Sequence, residues 1–212
     1  VSFTRDLVNT PSRDKTPAIL ADYAVKMAKE LGMQCKVMSL PELKKLGMGG
    51  LLGVAQGSVQ PPKFIILDYN ARAKNQDNLV FVGKGITFDS GGICLKQAKD
   101  MDLMKSDMSG AAAVMGAMMA VSKMKLPQHI VGLMPCTENM PGGSAMKPGD
   151  IIQFCSGKTA EIVNTDAEGR LILADALVYA ENYHPQAVID LATLTGSCVV
   201  ALGTVVTGMM GN

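Results

Sequence analysis

Short runs of Ile, Leu, Val and Phe alternate along this chain with segments of helical period, and that alternation limits the fold more than any other feature. Lys63 to Tyr69 and Asn78 to Val82 are apolar runs bounded by turn residues, which is the pattern of strands covered on both faces. Gln34 to Met38, Ile130 to Met134, Ile151 to Phe154, Ala160 to Val163 and Ala187 to Leu191 read as further strands. Between them, Thr16-Pro17 reads as the N-cap and first position of an amphipathic surface helix. Its apolar residues Ile19, Leu20, Tyr23, Ala24, Met27 and Leu31 recur until Gly32. A short helix is expected after Ser39-Leu40-Pro41, a long Ala/Met-rich helix from Asp107 to Met124, and another helix from Gly169 to Asn182. Gly47 to Gly57 is Gly-rich with few charges and reads as a connector, a buried loop or turn. The expected fold is therefore an α/β three-layer domain, a central mixed and largely parallel β-sheet with helices on both faces.

Composition narrows the chemistry. At 212 residues and 48% apolar content the chain suits one sizeable domain with a real core. Twenty Lys and Arg against nineteen Asp and Glu leave a formal charge of +1, without the basic excess that attracts a nucleic-acid backbone. The five cysteines are widely spaced with no CxxC pair, as expected of thiols in a reducing compartment, and they are expected to be buried. Only two histidines occur, His129 and His184, far apart, so both read as structural and any site must use carboxylates, lysine or arginine. The N-terminal stretch carries Arg5, Asp6, Arg13, Asp14 and Lys15 and lacks the layout of a secretory signal. Leu191 to Asn212 holds no charge over about 20 residues, the length of a membrane span. Its Gly/Thr-rich composition without basic flanks favours buried strand and loop.

Two motifs mislead. Gly157-Lys158-Thr159 resembles the end of a P-loop, but the first glycine it requires would fall at Ile152. Gly83-Lys84-Gly85 begins like a dinucleotide fingerprint, yet Phe88 holds the third glycine position and Asp89 would repel a pyrophosphate.

Three clusters at the ends of the expected elements carry the chemistry. They are the Gly-rich loop from Val82 to Gly92 with Lys96, then Asp102 and Asp107 around the start of the Ala/Met helix, and Asn164-Thr165-Asp166-Ala167-Glu168-Gly169-Arg170-Leu171. Taken singly, Asp107 and Asp166 read as helix N-caps worth about 1 kcal/mol, Lys84, Lys96 and Arg170 as solvated charges, and Gly83, Gly85, Gly91 and Gly92 as turn residues. Taken together they stand at one kind of sheet edge, where open α/β sheets gather ligands. If Asp89, Asp107, Asp166 and Glu168 converge, their repulsion calls for cations, and two divalent ions balance four carboxylates. Such a pair activates a bridging water and polarises a carbonyl or phosphoryl oxygen, which is hydrolase chemistry. Oxygen-rich ligation suits magnesium or manganese on softness, and zinc also accepts carboxylates, so the metal stays open.

The segments from Lys84 to Lys96, Met101 to Ala113 and Asn164 to Leu171 resemble the leucyl aminopeptidase family of two-metal exopeptidases, whose signature is the Asn164 to Leu171 octet. The likeness runs from about Asn9-Thr10-Pro11 to the end of the chain. It implies that residues 1–212 form a partial catalytic domain, with the family's N-terminal domain and the C-terminal part of the catalytic domain absent. By this resemblance the metal ligands are Lys84, Asp89, Asp107, Asp166 and Glu168, with Asp89 and Glu168 contacting both ions, zinc and/or manganese or else magnesium. Lys84 must then be neutral, and nearby dications depress an ammonium pKa. The resemblance makes Lys96 and Arg170 catalytic. Lys96 polarises the scissile carbonyl, and Arg170 holds a bicarbonate that takes the water's proton. It places Met104 and Thr193-Leu194-Thr195-Gly196 at the substrate pocket, with leucine and other apolar first residues favoured. The substrate's free α-amine binds one metal and its carbonyl the other.

The methionines at 101, 104, 108, 115, 118, 119 and 124 otherwise read as core, since Met fills irregular gaps. The expected function is a cytoplasmic, metal-dependent aminopeptidase acting on peptides with a free N-terminal amine, homo-oligomeric and hexameric by resemblance, without membrane association. The alternatives are a DNA-binding module, against which the near-neutral charge counts, and a catalytically incompetent fragment of such an enzyme.

Overall fold

The computed structural model describes residues 1–73 and 78–212. In chain order the helices are α1 (Ser2–Asn9), α2 (Pro17–Leu31), α3 (Leu40–Leu46), α4 (Gly49–Ala55), α5 (Ser109–Met124), α6 (Glu168–Ala180) and α7 (Gly196–Leu202). The strands are β1 (Gln34–Met38), β2 (Lys63–Tyr69), β3 (Leu79–Gly83), β4 (Gly85–Asp89), β5 (Ile130–Asn139), β6 (Ile151–Gln153), β7 (Thr159–Glu161) and β8 (Ala187–Leu191). The main sheet runs β1-β2-β5-β3-β8, with β4 also paired to β5. β1/β2 and β2/β5 are antiparallel, whereas β5/β3, β3/β8 and β4/β5 are parallel.

Strand side chains alternate between two cores. Phe64, Ile66, Val80, Val82, Val131 and Leu133 pack with Leu51 and Val54 of α4 and Leu171, Ile172 and Ala176 of α6. Ile65, Leu67, Ile130 and Met134 pack with Leu7 of α1, Leu20, Ala24 and Met27 of α2, and Ala111, Met115 and Met118 of α5. Both faces are buried, which is why the strands read as continuous apolar runs. The fold is α/β, a mixed sheet between two helical layers. Thr16 caps α2 through Ile19 N, and Gly32 ends it with φ 68°.

Four local expectations change away from the charged loops. Gly47 to Gly57 is mostly helix: a Cβ on Gly49 would lie 1.8 Å from the Gln153 carbonyl and one on Gly50 2.2 Å from that of Leu171, so these glycines serve close packing, not a loop. The runs at Ile151 and Ala160 form a separate β6/β7 hairpin, not strands of the main sheet, because only their middle residues point inward. After half-buried Leu191 the chain to Asn212 is exposed apart from half-buried Cys198, with Val200, Val205, Met209 and Met210 each at least 90% accessible, because β8 is an edge strand that among the described residues pairs with β3 alone. Among the described residues no helix is long and apolar enough to cross a membrane. All five cysteines are free thiols, but only Cys136 is buried.

Asp175 of α6, 1% exposed, ties the α4 layer together by accepting from Leu51 N and Cys155 N, each at 3.0 Å. Asp175→Ala would strand both donors and is expected to destabilise the chain by about 2–4 kcal/mol in denaturant unfolding. A loss below about 0.5 kcal/mol would contradict that role.

Candidate metal centre

The centre is built by a break in one strand. β3 pairs with β5 up to Val82, and the chain then bends at Lys84 before β4 resumes beside the second half of β5. Lys84 at the break is held by its backbone, its N–H donating to Leu191 O (3.0 Å) and its carbonyl accepting from Ala111 N (2.9 Å). The register then slips between Ile86 and Phe88. A bulge of this kind turns the following side chains to the opposite face, and the side chain it re-aims here is Asp89. Past β4, Gly91 at φ +88° and Gly92 at φ +68° bring the loop back over the site toward Lys96. A Cβ on Gly91 would lie 2.5 Å from the Cys94 carbonyl.

Asp107 ends a 3-10 turn (Met101–Ser106) ahead of α5, and Glu168 opens α6. Neither Asp107 nor Asp166 is an N-cap, since Met108 and Ala167 hold those positions without side-chain caps. Asn164 Oδ1 accepts from Asp166 N at 2.9 Å and turns the chain into α6.

These elements bring carboxylate oxygens of Asp89, Asp107 and Glu168, all buried, within 4.8 Å of one another. Lys84 Nζ sits among them, 2.9 Å from Asp107 Oδ1 and Oδ2, 2.8 Å from Glu168 Oε1 and 2.8 Å from the Thr193 carbonyl. Glycine at 169 makes room for it, because a Cβ there would lie 2.7 Å from Lys84 Cε. Lys96 Nζ bridges Asp89 Oδ2, at 2.9 Å, and Asp166 Oδ1, which joins the fourth carboxylate to the group. Thr193 Oγ1 donates to Asp107 Oδ1 at 2.7 Å.

Four carboxylates therefore face two ammonium groups, and the electrostatics follow. Burial alone would lower Lys84, but Asp107 and Glu168 outweigh it and hold the ammonium above its ordinary pKa. Lys96 is also raised, its bonds to Asp166 and Asp89 overcoming burial. Burial pushes Asp107 up to about 6, opposed by Lys84 and assisted by Asp89. Burial likewise pushes Glu168 up to about 7, opposed by Lys84 and reinforced by Asp89 and Asp107. Asp107 Oδ2 and Asp166 Oδ1 are buried, and among the described residues a lysine nitrogen is the one polar partner of each. Carboxylate oxygens gathered in this way around lysine nitrogens form a donor set that fits divalent cations.

The other anticipated residues lie less deeply. Arg170 is exposed on the first turn of α6, Met104 is half-buried in the 3-10 turn, Thr193 and Leu194 are exposed between β8 and α7, and Gly196 is exposed as the first residue of α7. His129 pairs with Asp68 at 2.8 Å and takes no part in the cluster of Asp89, Asp107 and Glu168. Met108, Met115 and Met118 are core, as expected, while Met124 is 69% exposed. Asn139 was not anticipated. The sequence reading ends this strand at Met134, whereas β5 continues to Asn139, whose Nδ2 donates to Asp89 Oδ1 at 2.8 Å.

The sequence model of the cytosol aminopeptidase family, catalytic domain, matches residues 2–212. The chain belongs to the cytosol aminopeptidase family. It is 57% identical to a probable cytosol aminopeptidase of Geobacter sulfurreducens, 55% to one of Geotalea uraniireducens and 53% to one of Aromatoleum aromaticum, each over the whole of this chain. The chain spans 43%, 43% and 42% of those relatives' lengths.

In chelator-stripped protein this family member's Glu168 holds its proton from its ordinary 4.5 up to about 7, so over that range the folded chain binds more protons than the unfolded one. The site's contribution to stability must then fall as pH rises through the window. Wild-type stability, measured by chemical unfolding against the non-titrating Glu168→Gln, is expected to decline from about pH 4.5 to about pH 7. A difference that stays flat or rises would contradict the burial-driven shift.

Proposed function

We propose that this chain is the metal-bearing part of a catalytic domain that hydrolyses the N-terminal peptide bond of peptides, leucine and other apolar first residues favoured. The observation that carries the reading is the buried meeting of Asp89, Asp107 and Glu168 around Lys84, in a chain of the cytosol aminopeptidase family. Lys84, Asp89, Asp107, Asp166 and Glu168 would hold two divalent cations, zinc and/or manganese or else magnesium. Such ions supply Lewis acidity and lower the pKa of water toward neutrality.

The chain's own groups have separable tasks. Lys84 can ligate only after giving up the proton that Asp107 and Glu168 now stabilise. Lys96, 24% exposed and held charged by two carboxylates, is the donor suited to negative charge developing on a carbonyl oxygen. Thr193 spends its hydroxyl on Asp107 and fixes the direction of that carboxylate. Arg170 offers an exposed guanidinium at the start of α6, suited to a bicarbonate that takes a proton. Met104, Thr193, Leu194 and Gly196 would meet the first residue of the substrate. The family's cytoplasmic location and hexameric assembly belong to the same proposal.

A second reading, metal binding without turnover, draws on the exposure of Thr193, Leu194 and Gly196, which leaves the pocket open on that side. Nucleic-acid binding finds no support in a net charge of +1.

Chelator-stripped protein is expected to cleave leucine p-nitroanilide when zinc or manganese is restored, and to leave N-acetyl-leucine p-nitroanilide intact. Lys96→Ala should lower turnover by about 10²–10³-fold while metal still binds, and Lys84→Arg should lose metal, since a guanidinium does not deprotonate. Metal uptake without cleavage would favour the second reading, and equal cleavage of the acetylated substrate would overturn the exopeptidase assignment.

A further inference from the structure

We infer that Asn139 and Thr165 form a brace that sets the spacing between the loop carrying Asp89 and the loop carrying Asp166 and Glu168, and that metal affinity depends on it. The inference rests on the metal reading above and adds two positioning residues to it.

Asn139 stands at the end of β5, 2% exposed, and spends both amide hydrogens between the loops. Nδ2 donates to Asp89 Oδ1 at 2.8 Å and to the Thr165 carbonyl at 3.0 Å. Both partners only accept, so the amide has one workable orientation; flipped, its carbonyl oxygen would face a carboxylate. Asp89 Oδ1 also accepts from Gly91 N at 2.9 Å, which saturates that oxygen and leaves Oδ2 facing Lys96. Thr165 closes the brace from the other side. Its hydroxyl donates to the Gly91 carbonyl at 2.6 Å and accepts from Cys94 N at 2.8 Å. The backbone of Asn139 is fixed as well, its carbonyl accepting from Ser90 N at 3.0 Å and Ser90 Oγ at 2.7 Å.

The brace has no slack. A Cβ on Gly92 would lie 2.8 Å from Asn139 Oδ1 and 3.1 Å from Thr165 Oγ1, so the loop passes directly against both side chains. Neither residue has a free donor for a substrate in this arrangement, and both act through the carboxylates. Groups that orient metal-bearing carboxylates in this way typically contribute 10- to 100-fold to affinity.

The test is calorimetric titration of zinc into the chelator-stripped chain, for wild type, Asn139→Ala, the isosteric Thr165→Val and the control Leu20→Ala. Leu20 is fully buried in α2, in the core on the other face, so its truncation destabilises the fold without touching the brace. Asn139→Ala is expected to weaken zinc binding by about 10- to 100-fold and Thr165→Val in the same direction by less, while Leu20→Ala keeps wild-type affinity at a lowered melting temperature. Should Asn139→Ala fail to fold, Thr165→Val carries the test alone. Wild-type affinity in the brace variants, or an equal loss in Leu20→Ala, overturns the inference and leaves the metal reading standing. A wild-type chain that takes up no zinc or manganese overturns both.

Discussion

Four carboxylates at one edge of a sheet repel one another, and among the described residues two lysines stand between them. Lys84 lies between Asp107 and Glu168, and Lys96 between Asp89 and Asp166, so the cluster retains more negative than positive charge. Burial adds to the cost, because Asp107 and Glu168 are nearly inaccessible and hold protons well above the usual carboxylate range. An arrangement this expensive in a domain of marginal stability supports the proposed metal site, since structural ion pairs do not need surplus charge.

The surrounding architecture serves that cluster. The parallel pairings send β3, β4 and β5 in one direction, so that their ends and the starts of α5 and α6 meet at one edge. The break at Lys84 and the slip after Ile86 keep the β3 to β4 path beside β5 while placing a lysine and an aspartate where an unbroken strand would have carried both past the centre. Glycine at 169 leaves room for the Lys84 side chain, and Asn139 with Thr165 ties the two acidic loops together. The two apolar cores above and below the sheet supply the rigidity that lets such short contacts persist.

Much of this was legible in the residues, for identifiable reasons. β1, β2 and β8 were readable to the residue and α2 from its caps, because these elements follow local rules of apolar period and capping. Lys84, Asp89, Asp107, Asp166, Glu168 and Lys96 stood out because charged residues at the ends of apolar runs are conspicuous. What escaped depends on partners distant in sequence. The helix α4 is hidden by glycines whose purpose is contact with Gln153 and Leu171. β4 reads as a loop because of Gly85 at its start, a glycine that fits close packing against Pro135 and Cys136 of β5. Asn139 carries no local signal at all, since its partners Asp89 and Thr165 lie 50 and 26 residues away. The exposed segment after Leu191 has core-like composition, and composition alone does not say which apolar surface a neighbour covers.

Anomalous diffraction from crystals of the chain grown with zinc, with data collected on both sides of its absorption edge, tests the central claim most directly. Two peaks are expected among Asp89, Asp107, Asp166, Glu168 and Lys84, with the Lys84 nitrogen no longer paired to Asp107 and Glu168 as an ammonium. Density showing both lysine ion pairs intact and no anomalous peak in the cluster would contradict it, and would make the two lysines the permanent counter-ions of a structural acidic core.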